Sequence, residues 1–336
     1  LFGNKLYVWI RLGILMKNRL LFPIIFAFIF SSCSDFSGNE DEVEASLKPA
    51  TVKKTTPPPT TTTTYYDMDG ITFGNNTFVA VGDKGAVLTS SDNGSSWDNG
   101  TSGTTKQLNE IAYGDSTFVA VGDDGTNLYS SDNGVSWDNG TWGREDDFTG
   151  VAFGNNTFIG VSEEYLTRST DNGSNWTLIG SGLKVIDLAF GNSRFLGCGK
   201  KAALIYTDNE GDSWSTSILS GAKTATLNGV TFGNNQFFSV GSSGKLIISS
   251  DNGSNFTNVT TPVTKSLYSI VFGNNIFVAV GSTTVVVSNN DGSSVTGGNT
   301  VTFKDVTFGN GVFVAVGYKI IYTSTDGVTW TQVYGE

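Results

Sequence analysis

Seven copies of one unit occupy most of the chain, and this repetition constrains the fold more than any other feature. Each copy carries an aromatic residue followed by Gly, and successive anchors are 40, 40, 37, 42, 40 and 36 residues apart. Such a period indicates a stacked or radial array in which neighbouring units bury each other's apolar faces. The anchors are Phe73-Gly74, Tyr113-Gly114, Phe153-Gly154, Phe190-Gly191, Phe232-Gly233, Phe272-Gly273 and Phe308-Gly309.

Within one copy the pattern predicts four short strands. In the first copy, the runs Gly70–Phe73 and Phe78–Val81 flank an Asn-rich turn, because Gly and Asn accept the positive φ of a hairpin. A third strand over Ala86–Thr89 and a fourth beginning at Trp97 complete the unit. Seven such units predict an all-β fold, a seven-bladed β-propeller of four-stranded antiparallel blades. A β-helix is the alternative, but its coils are shorter and lack this hairpin rhythm.

The N-terminal region differs in composition from the repeats. Residues 1–15 precede Met16 and are interpreted as a translated upstream extension. Residues 16–32 combine a basic start with an apolar run and two serines, which is typical of a secretory signal peptide. Residues 33–66 begin at Cys33 and are rich in Thr and Pro, which predicts a disordered tether. Residues 67–336 form the propeller.

Cys33 follows Ser31 and Ser32, and this junction resembles the lipobox of bacterial lipoproteins. The resemblance implies that Cys33 becomes the lipidated first residue of the mature protein. The protein is then expected to be lipid-anchored in the bacterial cell envelope, outside the cytoplasm, on the outer membrane or cell surface. An ordinary secretory cleavage that leaves Cys33 free is the alternative. Cys198 lies in a strand-like run and is interpreted as a buried small hydrophobic residue.

Charge and composition exclude several classes of function. The chain has 31 acidic and 20 basic residues and a net charge of −11, which argues against nucleic acid, since phosphates require Lys and Arg. It contains no His, the commonest general base and metal ligand. We therefore expect no cofactor and no metal site.

A second motif recurs near the end of each copy. In the first copy it reads Ser90-x-Asp92-x-Gly94-x-x-Trp97, and it resembles the Asp-box (BNR repeat) of sialidase-like propellers. The resemblance implies a structural role, in which Asp accepts backbone N–H groups across the turn, Gly supplies a special backbone angle and Trp packs into the core. The residues concerned are Asp92, Trp97, Asp132, Trp137, Asp171, Trp176, Trp214, Asp251, Asp326 and Trp330.

Propellers with this motif include sialidases and other glycoside hydrolases, so the resemblance raises the question of catalysis. A sialidase-like site would need three converging Arg, but Arg144, Arg168 and Arg194 fall at positions that are not equivalent. A pair of loop carboxylates is the remaining route to glycoside hydrolysis. The candidate acids are Asp83, Asp123, Asp124, Glu163 and Glu164.

Comparison of the seven copies separates constant from variable segments. The turn after the first strand hardly varies, whereas the turn after the second strand and the connections between blades vary greatly. In a propeller these two variable classes emerge on the same face, and loops on a rigid scaffold carry function. Trp142, Arg144 and Tyr165 belong to the residue types that anchor interfaces. The candidate ligand-binding residues are Asp83, Lys84, Asp123, Asp124, Trp142, Arg144, Glu163, Glu164, Tyr165, Lys200, Lys201, Tyr318 and Lys319. Neutral loop drift is the alternative interpretation.

The sequence favours a monomeric, non-enzymatic binding or assembly module whose partner is a protein or a glycan. A carbohydrate-active enzyme that uses loop carboxylates is the alternative. The design resembles photosystem II assembly factors, but this acidic chain lacks the basic Arg patch of that family, so their role is not carried over. Closure of the ring stays open, with residues 60–66 as the candidate segment for pairing with the last blade.

Overall fold

The computed structural model describes residues 64–219, 225–289, 295–297 and 301–335. The predicted upstream extension, signal peptide, lipidated Cys33 and nearly all of the tether lie outside these residues. Across the described ranges, no helix is long and apolar enough to cross a membrane.

The described residues form seven antiparallel blades of four strands, which confirms the predicted seven-bladed β-propeller. Blade 1 contains β1 (Met68–Gly74), β2 (Thr77–Gly82), β3 (Val87–Ser90) and β4 (Asp98–Asn99). Blade 2 contains β5 (Leu108–Gly114), β6 (Thr117–Gly122), β7 (Asn127–Ser130) and β8 (Asp138–Asn139). Blade 3 contains β9 (Phe148–Gly154), β10 (Thr157–Ser162), β11 (Tyr165–Ser169) and β12 (Thr177–Ser181). Blade 4 contains β13 (Val185–Gly191), β14 (Arg194–Gly199), β15 (Leu204–Thr207) and β16 (Ser215–Thr216).

The remaining blades repeat the same antiparallel order. Blade 5 contains β18 (Leu227–Gly233), β19 (Gln236–Gly241), β20 (Lys245–Ser249) and β21 (Asn255–Val259), and the short strand β17 (Ile218–Leu219) pairs with β21 in parallel. Blade 6 contains β22 (Leu267–Gly273), β23 (Ile276–Gly281), β24 (Thr284–Asn289) and β25 (Val295–Gly297). Blade 7 contains β26 (Phe303–Gly309), β27 (Val312–Gly317), β28 (Ile320–Ser324) and β29 (Thr331–Gly335).

The first strand of every blade contacts the first strands of both neighbours, and β1 contacts β26, so the ring closes between blades 1 and 7. All four strands of blade 7 come from one continuous region, and no described strand is shared across this closure. Instead, Tyr66 N–H donates to Tyr334 Oη at 3.2 Å, and the rings of Tyr65 and Tyr334 meet edge to face with centroids 5.0 Å apart. Residues 65 and 66 therefore contact the last blade through side chains and not through a strand pair.

The aromatic-Gly anchor is the contact that builds the ring. A Cβ placed on Gly74 would lie 2.1 Å from Cγ of Tyr113 in the next blade, so only Gly leaves room for that ring. The same relation holds between every anchor Gly and the next anchor aromatic, including Gly309 and Phe73 across the closure. Each anchor aromatic also packs on an aromatic of its own second strand, as Phe73 does on Phe78 with centroids 4.6 Å apart.

The core lies between adjacent blades. Strand β2 is buried along its whole length, because neighbouring blades cover both of its faces. Val79 and Val81 of blade 1 pack with Leu108 and Phe118 of blade 2, and similar clusters recur around the ring. Burial of each such side chain contributes about 1.5–3 kcal/mol, so the scaffold beneath the loops is rigid.

Candidate functional site

The recurring Ser-x-Asp-x-Gly-x-x-Trp segments form closed, hydrogen-bonded turns. Ser90 Oγ donates to Asp92 Oδ1 at 2.8 Å and accepts the N–H of Gly94 at 2.9 Å. Asp92 Oδ1 also accepts the N–H of Ser96 at 3.0 Å, and Trp97 Nε1 donates to the Gly94 carbonyl at 3.1 Å. The side-chain and backbone bonds from Ser96 lower the pKa of Asp92 to about 2. Gly94 adopts φ +80°, a conformation that favours Gly.

The other copies repeat this arrangement, and we call them the Asp-box-like turns. The Ser–Asp and Gly–Ser bonds recur at Asp132, Asp171, Asp251 and Asp326. The Trp Nε1 bond recurs at Trp137, Trp176 and Trp330, whereas Phe256 is the buried aromatic of the fifth copy. The carboxylates are occupied by donors of their own turns, which fits a role in holding each turn.

The Asp-box-like turns lie beside the constant turns that follow the first strands. Asn75 Nδ2 donates to Asn133 Oδ1 of the next blade at 2.8 Å, and Asn310 Nδ2 donates to Asn93 Oδ1 at 3.1 Å. The turns after the second strands instead contact the blade connections. Ser102 Oγ donates to the Gly85 carbonyl at 2.6 Å. We call the face formed by the second-strand turns and the blade connections the variable face.

Three predicted residues converge on the variable face. The guanidinium carbon of Arg144 lies 4.0 Å from the ring centroid of Tyr165 and 6.0 Å from that of Trp142. Arg144 Nε also donates to Asp146 Oδ2 at 2.9 Å. Such cation–π contacts contribute about 0.5–1 kcal/mol each at exposed sites. We call Trp142, Arg144 and Tyr165 the Arg144 cluster, which joins the connection before blade 3 to the second-strand turn of that blade.

An acidic concavity of about 330 Å³ lies beside the Arg144 cluster. Lys200 of blade 4 forms an ion pair with Glu163, and Arg144 pairs with Asp146, so acidic groups still outnumber basic groups around the concavity. The structure thus brings Glu163 and Glu164 together with acids that the sequence analysis did not single out. The lining residues are Glu145, Asp146, Asp147, Ser162, Glu163 and Glu164.

The other predicted loop residues are distributed around the ring. Asp124 N–H donates to Asp147 Oδ1 at 2.9 Å, which places the blade 2 turn next to the acidic concavity, and the Asp124 carboxylate pairs with Lys106. Asp123 Oδ1 accepts Asn109 Nδ2 at 2.8 Å. Asp83 and Lys84 belong to blade 1, Lys200 and Lys201 to blade 4, and Tyr318 and Lys319 to blade 7. The structure does not gather these residues into one site.

A cavity of about 300 Å³ on the axis of the ring is lined by first strands from all seven blades. Asp187 Oδ1 accepts the N–H of Leu188 at 2.7 Å, and its Oδ2 accepts the N–H of Val230 in the next blade at 2.8 Å. Asp305 makes the equivalent bonds to Val306 at 2.8 Å and to Ile71 at 2.7 Å. These two carboxyl groups connect blade 4 to blade 5 and blade 7 to blade 1.

The environment of the axial cavity shifts its carboxyl groups toward the protonated form. Burial raises the pKa of Asp187 to about 7 and that of Asp305 to about 6, although backbone N–H groups act in the opposite direction. Burial also raises the pKa of Glu110 well above its usual range. Burial raises the pKa of Asp69, and its ion pair with Lys304 partly opposes this shift. Asp187 and Glu110 keep some surface toward the cavity but lie inside the ring.

Sequence reasoning missed these axial acids. They occupy one register position, immediately before the apolar residue in the middle of each first strand, where the seven copies read Gly70, Glu110, Gly150, Asp187, Gly229, Ser269 and Asp305. Aligning the first strands would have exposed the acids in an otherwise small or apolar position. Within the described residues, no group of three or more acids or cysteines is placed to hold a metal ion.

Comparison with known proteins identifies the fold and no family. No family model matches the chain, and no curated protein matches it. Among solved structures, "YCF48 bound to D1 peptide" is 15% identical, with a TM-score of 0.62, over 77% of this chain and 92% of that one. YCF48 from Cyanidioschyzon merolae is 13% identical, with a TM-score of 0.63, over 80% and 97%. The WD40 repeats of RRP9 are 9% identical, with a TM-score of 0.61, over 75% and 88%.

Proposed function

We propose that this propeller is a monomeric, non-enzymatic binding or assembly module that binds a protein segment on its variable face. The observation that carries the proposal is the Arg144 cluster, in which two aromatic rings and a guanidinium from separate loops meet on a rigid scaffold. Aromatic residues and Arg are enriched among residues that dominate binding energy. A peptide-bound relative in fold, YCF48 with a D1 peptide, supports a protein partner.

The charge of the site indicates the chemistry of the partner. The acidic concavity beside the Arg144 cluster contains five carboxyl groups, and the whole chain carries a net charge of −11. Opposite charge on the partner accelerates association and disfavours acidic competitors. We therefore expect an extended segment with Lys or Arg side chains, whose aliphatic parts pack on Trp142 and Tyr165. Glycans remain the second class of partner that aromatic rings can accept.

Binding to arrays of basic, neutral and acidic peptides and of glycans tests this proposal. We expect basic peptides to bind, with an affinity that falls as salt increases. Arg144→Ala and Tyr165→Ala should each weaken that binding by about tenfold or more, the usual effect of truncating an anchor residue. Val135→Ala is the control, because Val135 is 61% exposed on an Asp-box-like turn of the opposite face. Equal affinity of all three variants would contradict the proposed site, and glycan binding alone would replace the peptide by a sugar.

The proposal places the propeller on a membrane surface through Cys33. A basic start, an apolar run and two small residues before Cys33 support lipidation at this residue. In a bacterial host, labelled fatty acid should enter the full chain and the Cys198→Ala variant but not the Cys33→Ala variant. Cys198 is the matched control, because it is the other cysteine of the chain and is buried in blade 4. Label retained after Cys33→Ala would contradict the anchor.

A glycoside hydrolase is the second candidate, and the acidic concavity favours it. Glu163 and Glu164 of one loop line the same concavity as Asp146 and Asp147 of another, which supplies carboxyl groups on two sides of a cleft. A panel of polysaccharides tests the candidate through release of reducing ends. Turnover that is abolished by Glu164→Gln and retained by Asp83→Asn would support the hydrolase and contradict the binding module.

A further inference from the structure

Three blade connections cover the outer edge of the blade that they lead to. Thr101 pairs in parallel with Ser136, Thr141 with Asn175, and Ile218 with Asn255. The connecting residue donates its N–H to the carbonyl before its partner: Thr101 to Val135 at 3.2 Å, Thr141 to Ser174 at 2.8 Å, and Ile218 to Ser254 at 2.9 Å. In blade 3 the carbonyl of Thr141 also accepts the N–H of Trp176 at 3.0 Å.

The position of these edge residues in the chain follows a simple spacing. Thr101 lies seven residues before Leu108, and Thr141 lies seven residues before Phe148. Leu108 and Phe148 begin the first strands of their blades and are fully buried. The spacing is therefore set by the path from the outer edge of a blade, across the variable face, to its first strand.

Blade 1 has a groove where the other blades have this cover. The groove has a volume of about 680 Å³ and lies between the edge of blade 1 and the last strand of blade 7. Among the described residues, no other segment donates or accepts a backbone hydrogen bond along 95–97, the counterpart of the covered edges. Its lining residues are Thr64, Tyr65, Ser95, Ser96, Trp97, Asn99, Gln332, Val333, Tyr334 and Gly335.

We infer that residues 60–63 of this chain fill the groove and pair in parallel with residues 95–97 of blade 1. Thr61 lies seven residues before Met68, the buried first residue of β1, and so corresponds to Thr101 and Thr141. The described chain leads directly out of the groove, because Thr64 and Tyr65 already line it. The compact unit that contains the propeller begins at Thr61. We call residues 60–63 the strap.

The proposed bonds follow the pattern of the covered blades. The N–H of Thr61 donates to the Ser95 carbonyl, and the Thr61 carbonyl accepts the N–H of Trp97, as Thr141 does with Ser174 and Trp176. Thr is β-branched and suits an extended edge segment. Blades 7 and 1 are the neighbours not joined by consecutive strands, so the strap gives this closure the edge cover that chain connectivity gives elsewhere. The strap thus acts on blade 1 and does not add a strand to blade 7.

Proline substitutions in the full chain test the strap. Thr61→Pro removes the N–H that donates to Ser95, whereas Thr62→Pro removes an N–H that points away from blade 1 in an extended strand. We expect Thr61→Pro to lower the melting temperature by a few °C and to speed hydrogen exchange of the Trp97 amide at least tenfold. Thr62→Pro should change neither. Equal exchange of the Trp97 amide in both variants and the unchanged chain would overturn the inference.

Deletions supply a second, independent measurement. Removing residues 34–58 from the full chain should leave the melting temperature and the Trp97 amide unchanged, because the strap remains. Removing residues 34–63 should reproduce the Thr61→Pro effects. If the shorter deletion has the same effect as the longer one, or if Trp97 protection depends on protein concentration, a more distant segment or a second copy occupies the groove and the strap is wrong. None of these outcomes depends on the partner of the variable face.

Discussion

Asp92 and Asp187 carry the same side chain, and both accept backbone N–H groups, yet their pKa values shift in opposite directions. Asp92 lies on an exposed turn, where hydrogen bonds from Ser96 lower the pKa to about 2. Asp187 lies inside the ring, where burial raises the pKa to about 7 despite two N–H donors. The difference teaches that hydrogen bonds determine the charge state at the rim of this fold, and desolvation determines it on the axis.

The comparison gives opposite pH dependences. A carboxyl group with a lowered folded-state pKa stabilises the fold above its unfolded value, and Asp92 loses this contribution as pH falls from about 4 toward 2. A carboxyl group with a raised pKa contributes most below its unfolded value, and Asp187 loses this contribution as pH rises from about 4 to 7. Asp305 behaves like Asp187 over the window from about 4 to 6.

The largest expected effect comes from removing an axial carboxyl group at the ring closure. Asp305→Ala leaves the N–H groups of Ile71 and Val306 without their acceptor, at a cost of about 1–3 kcal/mol each. We expect the free energy of unfolding at pH 5, measured by urea titration, to fall by about 2–5 kcal/mol. Asp92→Ala on the exposed turn is the control and should cost less. An equal loss from the two variants would break the contrast between axis and rim.

An intermediate effect is expected from Asp187→Asn, which removes the titration but keeps the shape. The unchanged protein should lose stability as pH rises from about 4 to 7, because Asp187 must ionise in a buried position. The variant should lose less over the same window, by an amount of the order of a few kcal/mol. Thermal unfolding at pH 4, 5, 6, 7 and 8 measures the difference. Parallel profiles of the two proteins would show that Asp187 is already ionised at low pH.

The smallest effect is expected from Asp92→Asn, and the chain contains its own precedent. In the fourth copy Asn209 Oδ1 accepts Thr207 Oγ at 2.7 Å and the N–H of Ser213 at 3.1 Å. Asn209 Nδ2 donates to Ser213 Oγ at 3.0 Å, so an amide closes this turn as well. We expect the free energy of unfolding at pH 7 to change by no more than about 0.5 kcal/mol. A loss as large as that of Asp305→Ala would show that the charge of Asp92 matters beyond its turn.

The fold followed from the sequence because the signals that define a blade are local. Turn residues, apolar runs and the period of about 40 residues are all visible within two adjacent copies. The purpose of the aromatic-Gly anchor was not visible, because Gly74 and Tyr113 meet only when one copy is placed beside the next. Residue type alone pointed to Trp142, Arg144 and Tyr165, but stacking of the guanidinium between loops depends on their path over the variable face.

The axial acids were missed for a different physical reason. Glu110, Asp187 and Asp305 gain their properties from burial by seven strands that are far apart in sequence. In a single copy, an acid at this position alternates with Gly and Ser and looks like ordinary surface variation. Only the closed ring converts that position into a desolvated one, and no local pattern encodes the closure.

The contact between each anchor Gly and the next anchor aromatic has one direction around the ring. Every blade offers a flat glycine surface on one side and an aromatic ring on the other, so the interface is head-to-tail and each unit is complementary to a copy of itself. Head-to-tail contacts close only when the rotation per unit divides the circle. Duplication of one such unit therefore generates every later interface without new chemistry, and a chain with one copy removed would end in an uncovered glycine and an unpaired aromatic ring.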